Sequence, residues 1–184
     1  MSICIFPGTF NPIHNGHLNM AEYALEKYKF EKIIFIPSYL PPHKEINKEL
    51  AKHRYKMVEL VTNSNPKFEI SDVEYKSEGK SYSIITVKKI IEQYKLKSRL
   101  NFIIGTDAFN KIDTWCQAEE LKELVHFIVF DRGEELNNIS SGWDYELADL
   151  KFLDVSSTDI RRGQILDTIK EVEEYIKEHG LYKI

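Results

Sequence analysis

Apolar residues along this chain follow two periods, and the switches between them mark its elements. Cys4-Ile5-Phe6, then residues 33–36, 100–104 and 126–130, are apolar runs with little or no interruption. Runs this short, bounded by turn residues, are strands buried on both faces. Between them the spacing lengthens to three and four: Leu18, Ala21, Leu25 and Tyr28; Tyr55, Met57, Val58 and Val61; Ile84, Val87, Ile91 and Tyr94. Such spacing is one face of an amphipathic helix. Helices are therefore predicted from His17 to about Tyr28, over 54–63, and from Ile84 after a Ser81-Tyr82-Ser83 start. Residues 68–70 and 73–75 alternate and are predicted as strand or extended connection, with a turn at Glu78-Gly79. Short helices are expected around Trp115 over 107–124. The stretch 134–149 has no period and is predicted as a long loop. A last strand at 151–155 and a mostly helical segment over 158–179, stopped by Gly180, complete the reading.

Strand, helix, strand at this spacing is a βαβ unit, whose strands are parallel with a right-handed crossover. The expectation is an α/β fold: a Rossmann-like open parallel sheet with helices on both faces and C-terminal helices, in one domain over 1–184. Ligands of such sheets bind outside the carboxyl ends of the strands. That rule selects residues 7–17, 37–44, 105–107, Arg132 and 155–161.

Composition narrows the function. With 42% hydrophobic and 29% charged residues the chain is of ordinary globular make-up. Its net charge of −4 argues against broad nucleic-acid binding, which needs a basic face. Cys4 and Cys116 stand in unrelated contexts, which predicts two free thiols in a reducing compartment. The sequence predicts neither a secretory signal nor a membrane-spanning helix, and the cytoplasm is the expected location. Homo-oligomer formation is left open by the sequence.

The first loop carries the chemistry. Gly8-Thr9-Phe10-Asn11-Pro12-Ile13-His14-Asn15-Gly16-His17 joins the first strand to the first helix. Gly8 and Gly16 are expected to allow close approach or positive φ, and the amides opening the helix attract anions. His14 and His17, three apart, share a helix face and can both donate to phosphate. From spacing alone they are as readily surface residues at a helix end. A metal site is not expected: the histidines lack metalloprotease spacing, and no CxxC completes a set.

Gly8-Thr9-Phe10-Asn11-Pro12 followed by His14-Asn15-Gly16-His17 resembles the GTFDP…HxGH signature of the nucleotidyltransferase superfamily. The resemblance implies nucleotidyl transfer from a nucleoside triphosphate with pyrophosphate leaving. Two positions depart: Pro7 stands where nicotinate mononucleotide adenylyltransferases usually have glycine, and Asn11 replaces the usual Asp. Asn keeps an acceptor oxygen and loses the charge.

Further stretches extend the likeness. Ser156-Ser157-Thr158-Asp159-Ile160-Arg161 reads by itself as a capped helix start, and is similar to the superfamily's SSTxIR motif, which implies triphosphate binding by Ser157, Thr158 and Arg161. Ile104-Gly105-Thr106-Asp107 with Trp115 resembles the IIGxD…W pattern of nicotinate mononucleotide adenylyltransferases. A carboxylate at the end of a strand can accept from ribose hydroxyls, or cap the next helix. Trp115 by itself is as readily core; the resemblance implies that it stacks on the pyridine ring, with backbone N–H groups near Ser83 and Cys116 meeting its carboxylate. Lys44, in Pro41-Pro42-His43-Lys44, is similar to the family's PPH(K/R) loop and is implied to approach the phosphates, and Arg132 after the fifth strand matches a family basic position implied to contact the nucleotide.

Together these imply adenylyl transfer from ATP to nicotinate mononucleotide, with His17, His14 and Arg161 as catalytic residues. ATP would be bound by Gly8, Thr9, Phe10, His14, His17, Lys44, Gly105, Asp107, Arg132, Ser157, Thr158 and Arg161. Mg²⁺ would be carried mainly by the ATP phosphates. A sister transferase acting on nicotinamide mononucleotide or phosphopantetheine, or a non-catalytic ATP-binding regulatory module, are the alternatives.

Overall fold

A computed structural model describes residues 2–41, 47–77, 82–151, 161 and 167–182. β1 (Ile3–Gly8), α1 (Asn15–Tyr28) and β2 (Lys32–Pro37) form the first βαβ unit. A 3₁₀ turn (Lys48–Leu50) leads into α2 (Ala51–Thr62), followed by β3 (Phe68–Ile70) and α3 (Ser83–Tyr94). The second half runs β4 (Leu100–Gly105), α4 (Thr106–Phe109), a 3₁₀ turn (Ile112–Thr114), α5 (Ala118–Leu124), β5 (Val125–Asp131), β6 (Asp144–Lys151) and α6 (Lys170–Glu178).

The strands form one six-stranded sheet ordered β3-β2-β1-β4-β5-β6, and every neighbouring pair is parallel. The order reverses between β1 and β4, the topological switch point of an open α/β sheet. Register there is short: only Cys4↔Asn101 and Ile5↔Phe102 are paired, whereas β1 pairs β2 from Ile3↔Lys32 to Gly8↔Pro37. The β1–β4 ladder thus stops short of the carboxyl ends of both strands, where ligands of such sheets bind.

Alternation along the strands sorts the core into two faces. Cys4, Phe6, Ile33, Phe35, Ile103 and Phe130 pack with residues of α1, α2 and α6, among them Met20, Met57 and Val172. Ile5, Ile34, Phe102, Ile104, Phe127 and Val129 pack on the other face with residues of α3 and α5, including Val87 and Leu121. Helices on both faces explain why the inner strands read as unbroken apolar runs.

Three expectations from the pattern are corrected. Residues 73–75 form a turn, not a strand: the Ser71 hydroxyl accepts from Val73 N at 3.3 Å, and Asp72 O accepts from Tyr75 N at 2.9 Å. The 134–149 stretch is not all loop, because β6 begins at Asp144. Its alternation is unlike that of a buried strand: Leu147 is 60% exposed on this sheet edge while small Ala148 is buried. The last strand accordingly starts earlier than the expected 151–155, of which 152–155 lie outside the described residues. No helix among the described residues is long and apolar enough to cross a membrane.

Candidate active site

The first loop is built around Phe10, not around its glycines. Phe10 takes φ 47°, and neither Gly8 nor Gly16 has positive φ. Its ring is buried, 5.3 Å from Phe6 and 5.0 Å from His17 between centroids. A Cβ on Gly8 would come within 2.9 Å of that ring, so glycine is needed there for close approach. The Phe10 side chain belongs to the core; what it could offer a nucleotide is backbone.

His14 and His17 are likewise buried, 1% and 7% exposed, which sets aside the surface reading of this pair. Together they make a capping box in imidazoles. His14 is the N-cap of α1 and its Nδ1 accepts from Gly16 N at 3.0 Å, while His17 Nδ1 accepts from His14 N at 3.1 Å. This is the reciprocal arrangement that Ser and Glu usually make. With each Nδ1 held as an acceptor, a neutral ring carries its proton on Nε2. The rings stack at 3.8 Å between centroids. Burial, followed by the nearby Arg132 charge, lowers the His14 pKa to about 4, against a raising influence of Asp167. At neutral pH His14 is therefore an uncharged N–H donor.

Across the switch point, Thr106 Oγ1 accepts from Arg132 N at 3.1 Å and ties the end of β4 to the end of β5. A Cβ on Gly105 would run into the Arg132 and Asp107 side chains, so close packing accounts for the glycine. Asp107 Oδ1 is buried with no hydrogen-bond partner among the described residues, the condition of an acceptor waiting for a ligand donor. Arg161 donates from NH1 to Asn11 O at 2.7 Å. His14, His17, Gly105, Asp107, Arg132 and Arg161 thus collect around the carboxyl ends of β1, β4 and β5.

Trp115 packs against the other core face. Trp115 is half-buried, its ring 6.1 Å from Phe102. Ser83 is the first residue of α3, whose N-cap Tyr82 makes no side-chain cap. Cys116 is exposed, Cys4 is buried, and both are free thiols. Lys44, Ser157 and Thr158 lie outside the described residues.

Two features were missed from sequence. Arg54 is completely buried, donating from NH1 to Thr9 O (2.9 Å) and Ser38 O (2.6 Å) and from NH2 to Tyr39 O (3.1 Å). It pins the loop after β1 to the loop after β2, and desolvation lowers its pKa. Its spacing with buried Met57, Val58 and Val61 was the available signal. The second feature is a clasp on the first loop from far along the chain. Thr168 Oγ1 donates to Ile13 O (3.1 Å), Asn15 Nδ2 to Asp167 Oδ1 (2.5 Å), and Tyr182 OH to Asn11 Oδ1 (2.8 Å).

A parallel sheet with its switch point beside an anion-directed helix start defines the class. A family model described as cytidylyltransferase-like matches residues 5–163, and the chain belongs to that family. Its curated relatives include a "probable nicotinate-nucleotide adenylyltransferase" of Caldicellulosiruptor bescii, 39% identical over 100% of both chains. Another of that name, from Thermoanaerobacter sp., is 40% identical over 97% of this chain and 93% of its own. The Plasmodium falciparum nicotinic acid mononucleotide adenylyltransferase complexed with NaAD shares the fold, with a TM-score of 0.80 at 20% identity over 98% of this chain and 96% of that one.

Proposed function

We propose that the protein is a nucleotidyltransferase that passes the adenylyl group of ATP to nicotinate mononucleotide, giving deamido-NAD and pyrophosphate in NAD biosynthesis. The observation that carries this reading is the histidine capping box, which fixes two imidazoles as Nε2–H donors at a helix start beside the switch point. The full-length relatives point to the same reaction.

In the reaction the mononucleotide phosphate attacks the α-phosphorus of ATP, the bond to the β-phosphate oxygen breaks, and pyrophosphate leaves. A phosphate monoester has a second pKa of about 6, so the nucleophile is already ionised at neutral pH. No general base is needed. What remains is to hold two anions in line and offset their charge. His17 and His14 donate N–H groups, Arg161 and Arg132 supply positive charge, and the α1 amides add their dipole. Lys44, Ser157 and Thr158 join the triphosphate side in this reading. Asp107 Oδ1 takes a ribose hydroxyl. Trp115 offers a ring face to the pyridine, with backbone N–H groups at Ser83 and Cys116 for its carboxylate.

Mg²⁺ enters with ATP as part of the substrate. The donors gathered here are N–H groups, which suit phosphate oxygen, and no cluster of three His, Cys, Asp or Glu among the described residues could hold a metal. When bound to the triphosphate, the ion offsets its charge. Two free thiols fit a reducing cytoplasm.

Pyrophosphate release from ATP is the test, run with nicotinate mononucleotide, nicotinamide mononucleotide and phosphopantetheine in turn. The acid mononucleotide is expected to be preferred; preference for another acceptor reassigns the substrate, and no release with any of them refutes transfer. His17→Ala is expected to fold and to lose about 10²–10³ in turnover, as when one transition-state donor is removed. Near-normal turnover in that variant would remove His17 from the chemistry.

A further inference from the structure

The residue at which the first loop departs from its family's spelling is held by side chains from late in the sequence. Asn11 is 8% exposed and is engaged twice: its carbonyl accepts from Arg161, and its side-chain oxygen accepts from Tyr182 OH. Both partners lie far along the chain, at separations of 150 and 171 residues.

The chain is turned toward this contact by the end of α6. Gly180 takes φ 60°, Gly180 N donates to Lys177 O at 3.3 Å, and Leu181 N donates to Ile176 O at 3.0 Å. These are the two bonds of a Schellman motif with glycine in the left-handed position. The motif sends Leu181 into the core, where it is 7% exposed, and the next residue inward after it. Tyr182 itself takes φ 59°, a region unfavourable to a non-glycine residue. A hydroxyl reaching a buried acceptor is a physical reason for that backbone to be tolerated.

Charge explains why a hydroxyl is the suitable partner. A carboxylate at position 11 would sit beside the Arg161 guanidinium and offset its charge. A neutral amide leaves that charge available to a phosphate, but is a weaker acceptor and needs a donor to fix it. Burial raises the Tyr182 pKa, with the Arg54 and Arg161 charges acting in the opposite sense. The phenol is therefore a neutral donor across the working pH range.

We propose that Tyr182 is a positioning residue for adenylyl transfer: its hydroxyl, bound to Asn11 Oδ1, fixes the loop whose carbonyl seats Arg161 and whose next turn presents His14 and His17. Tyr182 touches no substrate in this role. The inference rests on the transfer reaction proposed above.

Tyr182→Phe removes one oxygen and keeps the ring. Its turnover is expected to fall about 10- to 100-fold, the scale of a misplacement near 1 Å. KM for the mononucleotide should stay within about twofold, because Ser83 and Trp115 are built on other elements. Asn11→Ala removes the same contact from the other side and should lose a similar factor, while the double variant loses little more than either single one. Deuterium uptake at the amides of residues 9–11 and 13 should rise in all three, which is read without any turnover. Full turnover in Tyr182→Phe, or independent losses that multiply in the double variant, would overturn the positioning role. So would a lowered melting temperature with unchanged turnover at 25 °C, which is the mark of a packing residue alone. Wild-type protein that releases no pyrophosphate would instead refute the transfer reading, leaving the loop exchange as the measure of the contact.

Discussion

At the scale of single residues, the two histidines show how a helix cap can set the tautomer of a ring. The backbone amides at the start of α1 are satisfied by imidazole Nδ1 atoms, and that same use dictates which ring nitrogen holds the proton. The positive potential expected of this loop thus comes from guanidiniums and helix amides, with His14 acting as a neutral donor. A cost follows in acid. His14 has a folded pKa of about 4 against an ordinary 6.5, so between those values the unfolded chain takes up a proton that the native site resists. Its contribution is intact above about pH 6.5 and is lost as pH falls toward 4, amounting to about 2 kcal/mol by pH 5. Urea denaturation of the wild type and His14→Asn at pH 7 and pH 5 checks this. The wild type should lose more stability than the variant, whose side chain can still accept from Gly16 N. Equal losses would mean that some other group titrates.

At the scale of elements, what could be read from sequence depended on what each element packs against. β1, β2, β4 and β5 are buried on both faces, and their apolar runs announced them. β6 lies on an edge, with Leu147 outward and Ala148 inward, so its alternation carried little signal. The turn at 73–75 was hidden because a Ser71 hydroxyl does the work of a ladder bond. The geometry of the first loop was legible because a βαβ start folds from neighbouring residues; the placement of His14 and His17 follows from three-residue spacing. Arg54 was passed over because an apolar stripe draws attention to its apolar members. The clasp by Arg161, Asp167, Thr168 and Tyr182 could not be read at all, since contacts 150 or more residues apart leave no local pattern. The end of α6 also sets a measurable term. Gly180→Ala should destabilise the protein by about 1 kcal/mol, because a Cβ strains the left-handed position. Gly180→Asn should lose less, as Asn tolerates that conformation; chemical denaturation of both variants decides it.

At the scale of the molecule, the order β3-β2-β1-β4-β5-β6 brings the first strand to the centre and divides the site between two halves of the sheet. The β1 side contributes the histidines, the β4 and β5 side contributes Asp107 and Arg132, and the late segment closes over the first loop. Along the line where the halves meet, β1 and β4 share only two registered pairs, against a full ladder on each flank. On that pairing, the line between β1 and β4 is expected to give more readily than the ladders on its two flanks. Native-state exchange should show it: amides of Phe6, Gly8 and residues 103–105 that face the joint should open ahead of those facing β2 and β5. Uniform protection across all four strands would mean that the joint is as firm as its flanks.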